Sequence, residues 1–107
     1  MRISRRFQAA LRDHVTANHD VAFYADYLRV SPDYLARCVK HATGHTPKRV
    51  VQDKLMDCAR KLLKENLTMA EVARRLGFES SAYFSRFVRR LTGTTPTNLQ
   101  KTLQKQS

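Results

Sequence analysis

ADYLRVSPDYLARCVKHATGHTP (residues 25–47) and ARRLGFESSAYFSRFVRRLTGTTP (residues 73–96) are two copies of one pattern. Ala25 and Leu28 match Ala73 and Leu76 at an offset of 48 residues. After one inserted residue, Ser31, Tyr34, Arg37, Thr43, Gly44, Thr46 and Pro47 match Ser80, Tyr83, Arg86, Thr92, Gly93, Thr95 and Pro96 at an offset of 49. Self-similarity of this density means that one supersecondary unit is used twice.

Helix signals recur at the same places in both copies. Thr68-Met-Ala-Glu71 reads as a capping box, in which the threonine oxygen and the glutamate carboxylate each satisfy a free N–H, and Asp20 holds the equivalent cap upstream. A short helix follows each cap. It is predicted to bury Val21, Tyr24, Ala25 and Leu28, or Met69, Val72, Ala73 and Leu76, at the i, i+3, i+4, i+7 spacing of an amphipathic stripe. Tight turns come next, at Arg29-Val-Ser and at Gly77-Phe-Glu-Ser. Ser31-Pro32 and Ser80 then restart helices, which Gly44 and Gly93 end by entering the left-handed region. Helix, tight turn, helix is the helix-turn-helix pattern.

Three further helices extend outward from these copies. Arg5 to about Asn18 puts Phe7, Ala10, Leu11 and Val15 on one face; Thr46-Pro47 opens a helix to about Glu65 with Val51, Leu55, Cys58, Ala59, Leu62 and Leu63 as its apolar side. Thr95-Pro96 opens a last one, with Leu99 and Leu103 inward. No stretch has the period-2 alternation of a half-buried strand. The expectation is an all-α chain of about seven helices, with residues 1–45 and 67–107 as two helix-turn-helix subdomains and residues 46–66 as the connecting helix.

The second helix of each copy has two contrasting faces. Tyr34, Leu35, Cys38, Val39 and Ala42 are predicted to face inward, as are their counterparts Tyr83, Phe84, Phe87, Val88 and Leu91. Asp33, Ala36, Arg37, Lys40 and His41 face outward in one copy, and Ala82, Ser85, Arg86, Arg89 and Arg90 in the other. A basic outer face is often no more than solvated. Here, however, the outward positions near the helix start are small (Ala36, Ser81, Ala82, Ser85), which permits close approach to a surface. Arg37 and Arg86 stand at the same place in each copy, where a guanidinium can fork onto O6 and N7 of guanine. Lys40, Arg89 and Arg90 lie behind them, where a groove-inserted helix meets phosphates.

Composition agrees with that reading. The 107 residues carry 20 Lys+Arg against 9 Asp+Glu, a formal charge of +11 with a pI near 10.4. Such a length holds one small domain or two very small ones, and 42% hydrophobic residues exclude wholesale disorder. The basic excess favours a polyanion, nucleic acid first and membrane surface second. Residues 54–107 carry +7 (11 basic, 4 acidic) against +4 (9 basic, 5 acidic) in residues 1–53, so the second copy is expected to hold phosphate more strongly. No apolar run approaches the ~20 residues of a bilayer crossing, and no signal-peptide stretch opens the chain, so a soluble, intracellular protein is expected.

The spans KLMDCARKLL (54–63), TMAEVARRLGFESSAYFSRFVRRLTGTTP (68–96) and, more weakly, SPDYLARCVKHATGHTP (31–47) resemble the DNA-binding domain of the AraC/XylS family of bacterial transcription regulators. The resemblance covers about residues 20–100 and is most specific in the Ala73-x-x-x-Gly77-Phe78 spacing, the Tyr83-Phe84-Ser85-Arg86 run and the Gly93-x-x-Pro96 ending. It implies two homeodomain-like helix-turn-helix units joined by a central helix, each laying its second helix in the major groove of double-stranded DNA. Base-reading positions then map to Asp33, Ala36, Arg37, Ser81, Ala82, Ser85 and Arg86, and phosphate-binding positions to Ser31, Lys40, Ser80, Arg89 and Arg90. Lys54 stands where the family often has arginine. Asp33 has three open roles: accepting from cytosine N4, repelling phosphate, or stabilising its helix N-terminus. About 18 residues of connecting helix span roughly 27 Å at ~1.5 Å each, near but below the ~34 Å between successive major grooves on one DNA face. Adjacent grooves read by a monomer, with slight DNA bending or unequal docking, are the expectation. The resemblance further implies a cytoplasmic, nucleoid-associated regulator of the activator class, with RNA polymerase as a partner. A sensing or dimerisation domain is expected N-terminal to this one in a longer protein, a stand-alone small regulator being the other possibility.

Other chemistries find little support. Cys38-x2-His41-x3-His45, with Cys58, has ligand residue types, but Cys38 is predicted inward and His41 outward, and Gly44 intervenes before His45, so neither metal nor cofactor is expected. His14 and His19 have no paired carboxylate or nucleophile, and no enzyme is expected. The basic amphipathic helices could lie on anionic lipid, but their apolar faces are needed to cover one another, so no membrane partner is expected. The alternative from another class is a helical protein-interaction or nonspecific polyanion-binding module.

Overall fold

The structure, a computed structural model, describes residues 2–106 of the chain. Seven helices are found there: α1 (Arg2–His14), α2 (Val21–Tyr27), α3 (Pro32–Thr43), α4 (Pro47–Leu63), α5 (Met69–Arg75), α6 (Ser81–Thr92) and α7 (Pro96–Gln106). No strand occurs among the described residues, and the all-α expectation holds. The main shift in helix position is in α1, which begins and ends earlier than its apolar spacing predicts. Its end is set by a turn: the N–H groups of Ala17 and Asn18 each bond back to the His14 carbonyl at 2.9 Å. The Asn18 carbonyl is then taken by the Tyr24 hydroxyl at 2.6 Å. Val15 still reaches the core from just beyond the helix.

The helix ends form as their side chains dictate. The oxygens of Ser31, Thr68 and Ser80 accept from the N–H of Tyr34, Glu71 and Tyr83 at 3.1, 3.1 and 3.2 Å, and Asp20 accepts from Ala22 at 3.1 Å. Each such cap contributes ~1 kcal/mol by satisfying an N–H that the helix itself leaves free. Gly44 and Gly93 close α3 and α6 at φ 80° and 77°. One half of the predicted capping box departs from expectation. The Glu71 carboxylate turns along its own helix to Arg74 (2.7 Å) and Arg75 (3.3 Å), because two guanidinium groups at i+3 and i+4 attract it more than one neutral N–H.

The chain divides into two compact units, Met1–Leu55 and Met56–Ser107. In the first, α1 and α2 pack on α3. Phe7, Leu11, Tyr24, Leu28, Leu35 and Val39 are buried there with Val51 and Leu55 of α4, and the Phe7 and Tyr24 rings meet edge to face at 5.5 Å. In the second, α5 and α7 pack on α6, burying Leu63, Val72, Leu76, Phe84 and Val88. Phe78 packs against both Phe84 (5.3 Å) and Phe87 (5.2 Å). Full burial of each such side chain contributes ~1.5–3 kcal/mol, which is how each small unit holds its own second helix in place.

The turn inside each unit has the same hydrogen bonds. Arg29 N–H bonds to Asp26 C=O and Val30 N–H to Ala25 C=O, both at 3.0 Å; Gly77 bonds to Arg74 (3.1 Å) and Phe78 to Ala73 (2.9 Å). This paired arrangement needs a left-handed residue directly after the helix. Gly77 supplies it at φ 83°, whereas the first unit uses Arg29 at φ 60°.

Candidate nucleic-acid interface

α3 and α6 are built alike from end to end. Each has 12 residues, a serine N-cap and a left-handed glycine stop. Each also carries a threonine in its last turn: Thr43 and Thr92 donate to the carbonyls of Val39 and Val88 at 2.7 Å and accept from His45 (3.1 Å) and Thr94 (3.3 Å). Thr46 and Thr95 then cap the following helices through Arg49 and Asn98 at 3.2 and 3.1 Å. The duplicated sequence is a duplicated local structure.

Of the predicted base-reading residues, Asp33 and Arg37 on α3, and Ser81, Ala82 and Arg86 on α6, are exposed; Ala36 and Ser85 are half-buried, on the shoulder between core and solvent. Asp33 lies in the first turn of its helix, where a carboxylate meets the positive end of the dipole. Lys40, Arg89 and Arg90 are exposed in the last turns. Ser31 and Ser80 are exposed too, and each oxygen accepts its cap bond while the hydroxyl proton remains a donor.

Among the described residues, ion pairs engage Arg49 with Asp53, Arg60 with Asp57, and Arg74 and Arg75 with Glu71. The two guanidinium groups hold the Glu71 carboxyl below its ordinary value, Arg74 first through its hydrogen bonds. Lys40, Arg37, Arg86, Arg89 and Arg90 enter none of these pairs. Their charge is directed outward from α3 and α6, as a polyanion requires.

Three inward predictions need correction: Tyr34 and Tyr83 are 44% and 53% exposed and Ala42 is exposed, while Cys38 and Leu91 are half-buried. The stripe that is wholly covered consists of Leu35 and Val39 on α3, and Phe84, Phe87 and Val88 on α6. The tyrosines sit at its edge, and each carries an arginine over its ring: Arg37 on Tyr34 at 5.8 Å, Arg86 on Tyr83 at 4.6 Å. Lys48 was not singled out by the sequence. It borders an open depression of about 460 Å³ with Ala36, His19, Asp20 and Thr46, which brings a cation from α4 beside a predicted reading position. No sequence signal marks it, because its counterpart in the second copy is Thr97. Cys38 and Cys58 are half-buried free thiols, and His41 and His45 are exposed. No helix among the described residues is long and apolar enough to cross a membrane.

Comparison with known proteins bears on this geometry. A family model described as a helix-turn-helix domain matches residues 24–102. The arabinose operon regulatory protein of Salmonella typhimurium is 28% identical over 92 residues, which are 84% of this chain and 33% of that protein. The chain therefore spans about a third of the length of that curated relative. Among solved structures, the C-terminal domain of AraT, a response regulator from Geobacillus stearothermophilus, is 29% identical with a TM-score of 0.84, over 94% of this chain and 84% of that one. The DNA-binding domain of AdpA, a global transcriptional factor solved with a target DNA, shares the fold at a TM-score of 0.83 and 23% identity, over 96% of this chain and 94% of that one.

Proposed function

This chain belongs to the AraC-type helix-turn-helix family, and from that premise we propose that it is the sequence-specific, double-stranded-DNA-binding part of a bacterial transcription regulator. The observation that carries this reading is the duplicated reading helix. α3 and α6 share their caps, their covered stripe and an outward arginine at the same position, with unpaired cations behind it. A nonspecific polyanion binder needs charge alone; it has no need of one arginine directly after a small residue in each of two units.

Each unit lays its second helix in a major groove of its own. Arg37 and Arg86 fork onto guanine, with Asp33, Ala36, Ser81, Ala82 and Ser85 lining the approach to base edges. Lys40, Arg89, Arg90 and the hydroxyls of Ser31 and Ser80 hold phosphates, and Lys48 joins this set through its place beside Ala36. The chain acts by binding rather than catalysis, in the cytoplasm. In the longer protein, this part answers to a sensing or dimerisation domain and works with RNA polymerase.

Selection of bound duplexes from a random-sequence library tests the reading. Wild-type protein should enrich a defined site, and footprints should cover two grooves per bound monomer. Arg37→Ala or Arg86→Ala should cost ~1–3 kcal/mol on that site and relax preference at one base pair each, whereas Lys40→Ala should weaken all sequences alike. Arginine variants that lose affinity equally for every sequence would overturn base reading, and a footprint over one groove would overturn the two-groove arrangement.

A further inference from the structure

Among the described residues only three large apolar side chains are prominently exposed: Tyr27, Tyr34 and Tyr83. Tyr27 belongs to an aromatic cluster, stacked on Phe23 and edge-on to His14. Tyr34 and Tyr83 have a different partner. Each stands three residues before the proposed reading arginine, a spacing that puts both on one stripe of the helix, and in both units the guanidinium lies over the ring. The cores do without these rings, since Leu35, Val39, Phe84 and Val88 are fully buried beside them. The same exposed Tyr–Arg pair thus stands at matching positions of both copies.

We propose that Tyr34 and Tyr83 are positioning residues for base reading. Each ring restricts the guanidinium of Arg37 or Arg86 to a few orientations before DNA arrives. An arginine free in solvent surrenders much rotamer freedom when its fork meets O6 and N7 of guanine, and one already stacked on an aromatic face surrenders less. The contact is shorter for Arg86 (4.6 Å) than for Arg37 (5.8 Å), so the second unit depends on its tyrosine more. This inference rests on the reading of Arg37 and Arg86 as base-reading residues.

The test uses the duplex selected from a random library by the wild-type protein, with its three single-base-pair variants at the position where Arg86→Ala erases preference. Tyr83→Leu should keep its helicity and melting midpoint, yet bind the selected duplex about two- to fivefold more weakly. It should lower the ratio of selected to variant affinity by the same factor, leaving the salt dependence unchanged. Tyr83→Phe, which keeps the ring, should restore the ratio, and Tyr34→Leu should lose less at its own position. A Tyr83→Leu protein that discriminates like wild type overturns the inference. So does a Tyr83→Phe protein that weakens on all sequences alike, since the hydroxyl would then be a phosphate ligand. If Arg86→Ala leaves every ratio intact, base reading itself has failed, an outcome distinct from failure of positioning.

Discussion

Glycine in place of Arg29 should stabilise the first unit by the release of backbone strain, with a magnitude that follows from the turn geometry. Arg29 holds φ 60° because the turn after α2 requires a left-handed residue for the bonds Arg29 N–H to Asp26 and Val30 N–H to Ala25. An L-residue there costs roughly 1–2 kcal/mol, whereas glycine adopts the conformation without penalty. Against this, glycine adds conformational freedom to the unfolded chain, worth about 0.4–1 kcal/mol. The difference leaves a gain centred on about 0.8 kcal/mol and at most about 1.6 kcal/mol, the central value being about 3–6 °C in melting midpoint for a unit of this size. Gly77 at φ 83° shows that the fold accepts glycine at this position. Urea and thermal unfolding followed by circular dichroism would measure the change for Arg29→Gly beside Arg29→Ala, which removes the same side chain but keeps the strain. A glycine variant no more stable than the alanine variant would refute the reasoning, since the arginine's value would then lie in its side chain.

Two further outcomes follow from titrating groups. Burial raises the Tyr24 phenol from 10.0 to about 12, and its hydroxyl donates to the Asn18 carbonyl. A raised pKa gives stability that is complete below the unfolded value and is lost as pH rises through the folded one. Wild type should therefore lose stability between pH 10 and about 12 more steeply than Tyr24→Phe, measured by denaturant midpoints across that range. Glu71 has the opposite sign. Its carboxyl is lowered from 4.5 by Arg74 first and then Arg75, so its contribution is present above 4.5 and fades as pH falls through the lowered value. Glu71→Gln should flatten that part of the acid-unfolding profile, and a profile identical to wild type would remove Glu71 from the account of α5.

Much of this fold is legible in the residues because its signals are local. A serine oxygen three residues before an N–H, a glycine after a last turn and an apolar residue every third or fourth position each act within one helical turn. The ends of α3, α5 and α6 accordingly fall where Ser31, Thr68, Ser80, Gly44 and Gly93 stand. The same locality explains the failures. Spacing assigns a direction around a helix, but coverage depends on which neighbour lies there, so Tyr34 and Ala42 read as inward and stand exposed. Glu71 reads as half of a capping box and turns instead to two arginines whose pull the motif does not weigh. The Arg29 turn carries no glycine to announce its left-handed backbone.

The sequence by itself determined that one helix-turn-helix unit occurs twice, where its helices begin and end, and which side of each second helix carries charge. Tertiary structure alone decided which edge residues stay in water, that two tyrosines lie beneath the arginines, and that Lys48 borders the same depression as Ala36. The physical reason is range. Hydrogen-bonded caps and helical periodicity act between residues a few positions apart, whereas burial is a property of surfaces brought together by packing.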